Sequence, residues 1–333
     1  MTFRLGIIGA GYLTDVALSA ATLNLAGTVD LVAVYDTNPV NLAKVGAVHP
    51  SAVLTSNLDE FFAAGLDGVH VASPNDSHAC YAQATLNRNI HLLLEKPAAH
   101  NPSAAADIAA SEQRSSAVCV MGYMFKHAPS YQHALALVGS GRIGQLQAII
   151  GTYPGWRKTD WHAERAASGL GCLTDLGSYP IATATDLLGR ARTRIESIGW
   201  PRSDQPEAES YAAGTVWYAG GARLQFEVTG VFNDHTPYPA GTSQLTIVGA
   251  DGFIQLRGVW NMGWQTTLVV HDRSGWDESV WEVPDLYERQ YLRFVQIAAA
   301  GSVPEPLSID RGVHDLQLLH DIAANTTVMA GAR

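Results

Sequence analysis

The 333-residue sequence predicts an α/β protein of two domains: a doubly wound parallel sheet, then an α+β domain with a large open-faced, mostly antiparallel sheet. Three observations carry this. Strand-like and helix-like stretches alternate over the first third of the chain, a glycine-rich turn closes the first apolar strand, and beyond about residue 195 apolar and polar residues alternate with period 2. The length also exceeds one ordinary core and suits two domains of roughly 100–200 residues each.

Taken in order, Phe3 to Ile8 reads as a strand, Thr14 to Leu25 as a helix, Val29 to Tyr35 as a strand and Leu58 to Ala64 as a helix. Gly68 to Ala72 is a strand, His78 to Asn87 a helix, and Ile90 to Glu95 an apolar run that reads as a buried strand. Alternation at this spacing means right-handed βαβ units on a parallel sheet. A strand near Val118 to Met121 ends that pattern. A helix from Ser130 to Val138 leads into Leu146 to Tyr153, a loop rich in Trp, Arg and His, and a helix from about Tyr179 to Leu188. Strands Ile195 to Gly199, Tyr211 to Tyr218, Leu224 to Val231, Gln244 to Val248, Phe253 to Leu256 and Thr266 to Val270 follow, each alternating as a half-buried antiparallel strand does. Helices Tyr287 to Ala300 and Asp310 to Thr326 close the chain, the second opened by Ser308 or Asp310 as a cap candidate.

The net charge of -10, with no stripe of Lys or Arg, argues against a nucleic-acid partner. Cys80, Cys119 and Cys172 are odd in number and far apart, which fits a reducing compartment with all three as core residues. The N-terminus reads as neither signal nor transit peptide, and no run reaches the 18 or so apolar residues of a membrane span, so a cytoplasmic location is expected.

The first glycine turn is Gly9-Ala10-Gly11-Tyr12-Leu13-Thr14. Gly9 permits the tight turn, and Gly11 lets the backbone, with Tyr12 and Leu13 at the helix start, approach a pyrophosphate. Thr14 replaces the third glycine of the usual pattern, which serves helix–sheet packing rather than phosphate binding. Asp36 follows the second strand, where a carboxylate accepts from a ribose diol and repels a 2′-phosphate, favouring NAD, although Thr37 leaves NADP possible. The alternative is a plain turn with Asp36 capping the next helix. Ser73-Pro74-Asn75-Asp76-Ser77-His78 ends a further strand: Pro74 fixes the turn, and Ser73, Asn75 and His78 are expected along the cofactor, unless Asn75 and Ser77 only cap a helix. Glu95-Lys96-Pro97 ends the buried strand, placing a cation on a proline-braced turn at the edge where open α/β sheets bind ligands. That suits a proton-transfer lysine. The alternative is a surface lysine with Pro97 as an ordinary stop.

Taken together, Gly9-x-Gly11 with Asp36, Pro74-Asn75-x-x-His78, Glu95-Lys96-Pro97, Gly122-Tyr123-Met124-Phe125-Lys126-His127-Ala128-Pro129, and Gly169-x-Gly171 before Asp175-Leu176-Gly177-Ser178-Tyr179 resemble the Gfo/Idh/MocA oxidoreductases. The resemblance covers essentially the whole chain. It implies an N-terminal Rossmann domain, 1–121, and a substrate-binding and oligomerisation domain, 122–333, whose open sheet forms the subunit interface of a homodimer or homotetramer. It also implies a nicotinamide over the Rossmann edge, Glu95 and Lys96 beside it, Lys96 at the catalytic centre, and Lys96-Pro97 as a possible cis peptide. Many members carry a catalytic His where this chain has Tyr179. Tyr there is similar to the glucose-fructose oxidoreductase, dihydrodiol dehydrogenase and sugar 3-ketoreductase members, whose phenol takes the acid/base role. Tyr179 and Lys96 then form the proton-transfer pair, with Asp175 orienting Lys96 or holding a substrate hydroxyl; the alternative makes Asp175 a helix cap and Tyr179 a core residue.

The loop Trp156-Arg157-Lys158-Thr159-Asp160-Trp161-His162 offers what a polyol pocket needs: Trp156 and Trp161 for C–H stacking, and Arg157, Asp160 and His162 as hydrogen-bond partners. Tyr123, Lys126 and His127 are further lining candidates. Asn233, Asp234, His235 and Tyr238 are weaker ones. No H-E-x-x-H or clustered Cys/His supports a metal, and no G-x-S-x-G supports acyl transfer. The reading is an NAD-dependent oxidoreductase for a sugar, sugar derivative or cyclic polyol. Alternatives are a keto-sugar reductase or dihydrodiol dehydrogenase, a cofactor-binding sensor, and an NAD-dependent glycoside-cleaving enzyme.

Overall fold

The computed structural model describes residues 2–11, 25, 27–156, 161, 164–201, 209–232, 243–258 and 265–329. The chain forms two compact units, Met1–Met124 with Tyr287–Val313, and Phe125–Leu286 with His314–Arg333. A single boundary after residue 121 therefore fails for 287–313, which joins the first unit. Packing explains the return. Phe294, on the helix Leu286–Ala300, meets Phe3 edge-on at 5.5 Å, and a Cβ on Gly68 would stand 2.9 Å from the Phe294 ring. Ser308 also bridges to Val120.

In the first unit six parallel strands form one sheet: β1 Phe3–Ile8, β2 Val29–Tyr35, β3 Val53–Thr55, β4 Gly68–Val71, β5 His91–Glu95 and β6 Cys119–Gly122. Their order is β3-β2-β1-β4-β5-β6. It reverses between β1 and β4, so the carboxyl ends of these strands flank the crevice where such sheets take ligands. All of β4 and β6 and most of β5 are buried, as strands covered on both faces must be.

Helices Pro39–Val48 and Pro102–Gln113 were not anticipated, yet each opens on an Asn-Pro pair. The Asn38 and Asn101 side chains accept from Val40 N and Ala104 N, and proline fits the first helical position. The helix expected over 14–25 lies outside the described residues. Helix His78–Leu86 turns His78, Ala82, Thr85 and Leu86 inward and leaves Cys80 exposed. Cys80 is thus no core residue, while Cys119 is buried and Cys172 half-buried.

Among the described residues the second unit holds nine strands: β7 Leu146–Trp156, β8 Arg192–Pro201, β9 Glu209–Tyr218, β10 Arg223–Phe232, β11 Gln244–Gly249, β12 Gly252–Arg257, β13 Gln265–Asp272, β14 Gly275–Glu282 and β15 Thr326–Val328. Their order is β14-β13-β12-β11-β7-β10-β9-β8-β15, antiparallel except at β7–β10 and β8–β15. β14 escaped the sequence reading because its residues, Gly275 to Glu282, carry few apolar side chains.

Helix Cys172–Leu188 lies on one face of this sheet and starts well before Tyr179. Two glycines of β7 admit it: a Cβ on Gly151 would stand 2.7 Å from Pro180 Cβ, and one on Gly155 2.9 Å from Leu176 Cδ1. Elsewhere the sheet bears a concavity of about 700 Å³ lined by Ile150, Glu196, Thr215, Gln225 and Glu227 among others. Among the described residues no helix is long and apolar enough to cross a membrane.

Candidate functional site

At the carboxyl edge of the first sheet, β1 runs into Gly9 at φ +98°, a conformation side chains resist. A Cβ there would stand 2.7 Å from both Ala72 O and Ser73 N, so the turn after β1 is pressed against the turn after β4. Among the described residues a Cβ on Gly11 would meet nothing within 4 Å, which leaves space beside the turn for a phosphate group. Asp36 is tied into this edge. Its Oδ2 accepts from Ala10 N at 2.6 Å and from Asn41 Nδ2 at 3.2 Å, and its Oδ1 from Asn38 N at 2.7 Å. Asn38, not Asp36, caps the following helix. A carboxylate offers about four acceptor sites, so Asp36 can still take a ribose hydroxyl. The edge therefore fits a dinucleotide: room at the phosphate position and a fixed acid at the ribose position.

Ser73 and Asn75 are buried in the turn after β4, where Ser77 Oγ bonds Pro74 O instead of capping the helix from His78. His78 is 1% exposed, with Nε2 2.8 Å from Ser73 O and Nδ1 3.0 Å from Pro97 O. Both ring nitrogens face backbone carbonyls, so His78 lies between the Ser73 turn and the Lys96 turn. Burial lowers its pKa below the usual 6.5, against the raising pull of the two carbonyls and of Glu95. The ring is neutral and donates to one carbonyl at a time.

Glu95 ends β5 buried, and Lys96 begins a turn with a cis Lys96–Pro97 peptide. Glu95 Oε2 accepts from Lys96 N at 3.2 Å, and its Oε1 lies 3.3 Å from His70 Nε2. Gly122 leaves the space, since a Cβ there would stand 2.9 Å from Glu95 Oε1. Tyr123, the residue after β6, is 3% exposed.

In the second unit, helix Cys172–Leu188 presents Asp175 and Tyr179 one turn apart on one face. Asp175 stands inside the first turn, not at the cap, and Glu209 Oε1 from β9 accepts the Leu173 N–H at 2.9 Å. Tyr179 is half-buried between Phe125, 5.4 Å away edge-on, and Tyr153, 5.9 Å away.

Further along the same helix, Asp186 Oδ1 binds Lys126 Nζ at 2.9 Å with both side chains buried, and Tyr131 Oη reaches Asp186 Oδ2 at 3.3 Å. Burial first, and then the Asp186 charge, push the Tyr131 phenol well above its ordinary 10.0, keeping it a donor. Lys126, expected to meet substrate, is held in this buried ion pair, and His127 beside it is also buried. The candidate residues Tyr12, Leu13, Arg157, Asp160, His162, Asn233, Asp234, His235 and Tyr238, and the Trp156 side chain, lie outside the described residues; Trp161 is half-buried. Among the described residues no group of three or more His, Cys, Asp or Glu could hold a metal ion.

A reversed-order parallel sheet with this edge, joined to an open-faced mixed sheet, defines a two-domain protein of the dinucleotide-binding class. Residues 3–123 match the oxidoreductase family with an NAD-binding Rossmann fold, and residues 131–255 match the GFO/IDH/MocA C-terminal domain. The chain belongs to the Gfo/Idh/MocA family. It is 29% identical over 216 residues to a scyllo-inositol 2-dehydrogenase (NADP(+)) of Bacillus subtilis (strain 168), covering 62% of this chain and 64% of that one. It is 28% identical over 151 residues to a 1-carboxy-3-chloro-3,4-dihydroxycyclo hexa-1,5-diene dehydrogenase of Comamonas testosteroni, covering 44% and 36% respectively. The chain thus spans only part of the length of these curated relatives. Its fold is like that of a 3-ketoreductase from Actinomadura kijaniata solved with NADP and TDP-benzene: TM-score 0.85, 17% identity, 99% of each chain covered.

Proposed function

We propose that this protein is an NAD(P)-dependent oxidoreductase acting on a hydroxyl or keto carbon of a sugar, sugar derivative or cyclic polyol. The observation that carries the reading is the first unit's edge, where the glycine turn, the anchored Asp36 and the Lys96 turn all follow carboxyl ends of parallel strands. When bound, the nicotinamide supplies or accepts the hydride. Lys96 and Tyr179 are the acid/base pair: Tyr179 exchanges a proton with the substrate oxygen, and Lys96 relays it and favours the phenolate over the neutral phenol of ordinary pKa ~10. Asp175, one turn before Tyr179, orients that pair or a second substrate hydroxyl. Trp156, Arg157, Asp160, Trp161 and His162 are the proposed polyol-binding group. The fixed charge of Asp36 favours NAD over NADP. The open face of the second sheet is the proposed homo-oligomer surface. A keto-sugar reductase is the second reading, favoured by 26% identity over 190 residues to a dTDP-3,4-didehydro-2,6-dideoxy-alpha-D-glucose 3-reductase of Streptomyces antibioticus.

The test is absorbance at 340 nm with NAD and NADP, in both directions, against aldoses, uronates, inositols, glycosides and keto-sugars. Turnover that Lys96→Ala and Tyr179→Phe each abolish, with NADH binding retained, is expected. Turnover that survives both substitutions rules out the assigned pair.

A further inference from the structure

We propose that His70 and Tyr291 are positioning residues for Lys96, acting through Glu95; this rests on the reading of Lys96 as a proton-transfer group. The four residues form one series inside the first unit, buried from Tyr291 through Glu95 and half-buried at Lys96. Tyr291 Oη lies 2.8 Å from His70 Nδ1, His70 Nε2 lies 3.3 Å from Glu95 Oε1, and Glu95 Oε2 accepts the Lys96 N–H at 3.2 Å. His70 and Tyr291 are each 1% exposed.

Donor and acceptor rules give the series a direction. An ionised Glu95 only accepts, so the His70 proton sits on Nε2, and the bare Nδ1 accepts the Tyr291 hydroxyl proton. Every polar atom in the series then has its partner, as burial demands. Tyr291 fixes the tautomer of His70, His70 holds one Glu95 oxygen, and the other oxygen anchors the Lys96 amide. His78 Nδ1 lies 3.0 Å from the carbonyl of the next residue, Pro97, and holds it in the tautomer that carries the proton there. The stem of Lys96 therefore springs from a backbone gripped at both ends. Displacements of about 1 Å at a reacting group cost on the order of 100-fold in rate, which is what such a grip prevents.

The test follows amide hydrogen exchange at Lys96, with Val34 in β2 as a global control, and the ring ¹⁵N shifts of His70. Tyr291→Phe keeps the ring and should move the His70 shifts off the Nε2–H tautomer. His70→Leu should speed Lys96 exchange about tenfold or more while Val34 stays as in the parent. His70→Gln, whose amide nitrogen can still donate to Glu95, should restore most of the protection. Unchanged Lys96 exchange in His70→Leu, or exchange that rises in step at Lys96 and Val34, overturns the proposal.

In the 340 nm assay, His70→Leu should lower kcat about tenfold with KM little changed, the range seen when supporting hydrogen bonds are lost. Loss of turnover in Lys96→Ala together with a parental kcat in His70→Leu overturns the positioning role alone. Turnover surviving Lys96→Ala overturns the proton-transfer reading beneath it.

Discussion

Two lysines make the two regions comparable. Lys96, in the first unit, follows a buried strand, and the groups around it grip its backbone through Glu95 and the Pro97 carbonyl. Lys126, in the second, follows β6 closely in sequence, and there the groups grip the ammonium itself through Asp186. A cation whose backbone is fixed is suited to moving a proton; one locked to a buried carboxylate is suited to holding a fold. Residue type and burial of the partner are alike in the two cases; what differs is the atom held, a backbone amide by Glu95 and an ammonium by Asp186.

The sharpest test of that difference is stability under urea. Lys126→Met should cost about 3–5 kcal/mol, because it strands the Asp186 charge in the interior, and Asp186→Leu added to it should recover much of the loss. Lys96→Met, at a half-buried side chain, should cost less, about 1 kcal/mol. Equal losses at the two lysines would erase the distinction.

The glycine turn gives the next largest effect. Gly9→Ala should cost about 1–3 kcal/mol for its positive φ, and more if Ala72 and Ser73 cannot move, whereas Gly11→Ala should leave stability intact and weaken NADH binding measured by fluorescence. Tyr131→Phe, which removes one donor to Asp186, should cost about 1 kcal/mol.

The smallest effect is a pH slope. Burial depresses the folded pKa of His78, so its contribution to stability is full above the unfolded value of 6.5 and is lost as pH falls through the lower, folded value. Melting temperature should therefore fall on acidification below 6.5, and less steeply in His78→Asn.

Much of the architecture was legible because period and punctuation are local properties: the parallel strands as unbroken apolar runs, the second sheet as alternation. The Asn38-Pro39 and Asn101-Pro102 helix starts were equally local and went unread. The partners of the site were not local. Asp186 lies 60 residues from Lys126, and Tyr291 lies 221 from His70. No spacing rule reaches that far, so the sequence shows neither the carboxylate beside Lys126 nor the phenol beside His70. The signal that could have flagged His70 is its polarity at the centre of the otherwise apolar β4, where burial demands a partner.

The return of residues 287–313 to the first unit bears on biosynthesis. The ribosome delivers all six strands of the parallel sheet before the helix that supplies Phe294 and Tyr291. Until then Phe3 lacks its ring partner and His70 its phenol, so the nascent first unit waits, incompletely packed, through synthesis of strands β7 to β14 of the second sheet. A fragment ending at residue 124 reproduces that waiting state permanently, and should expose apolar surface and aggregate where the full chain does not.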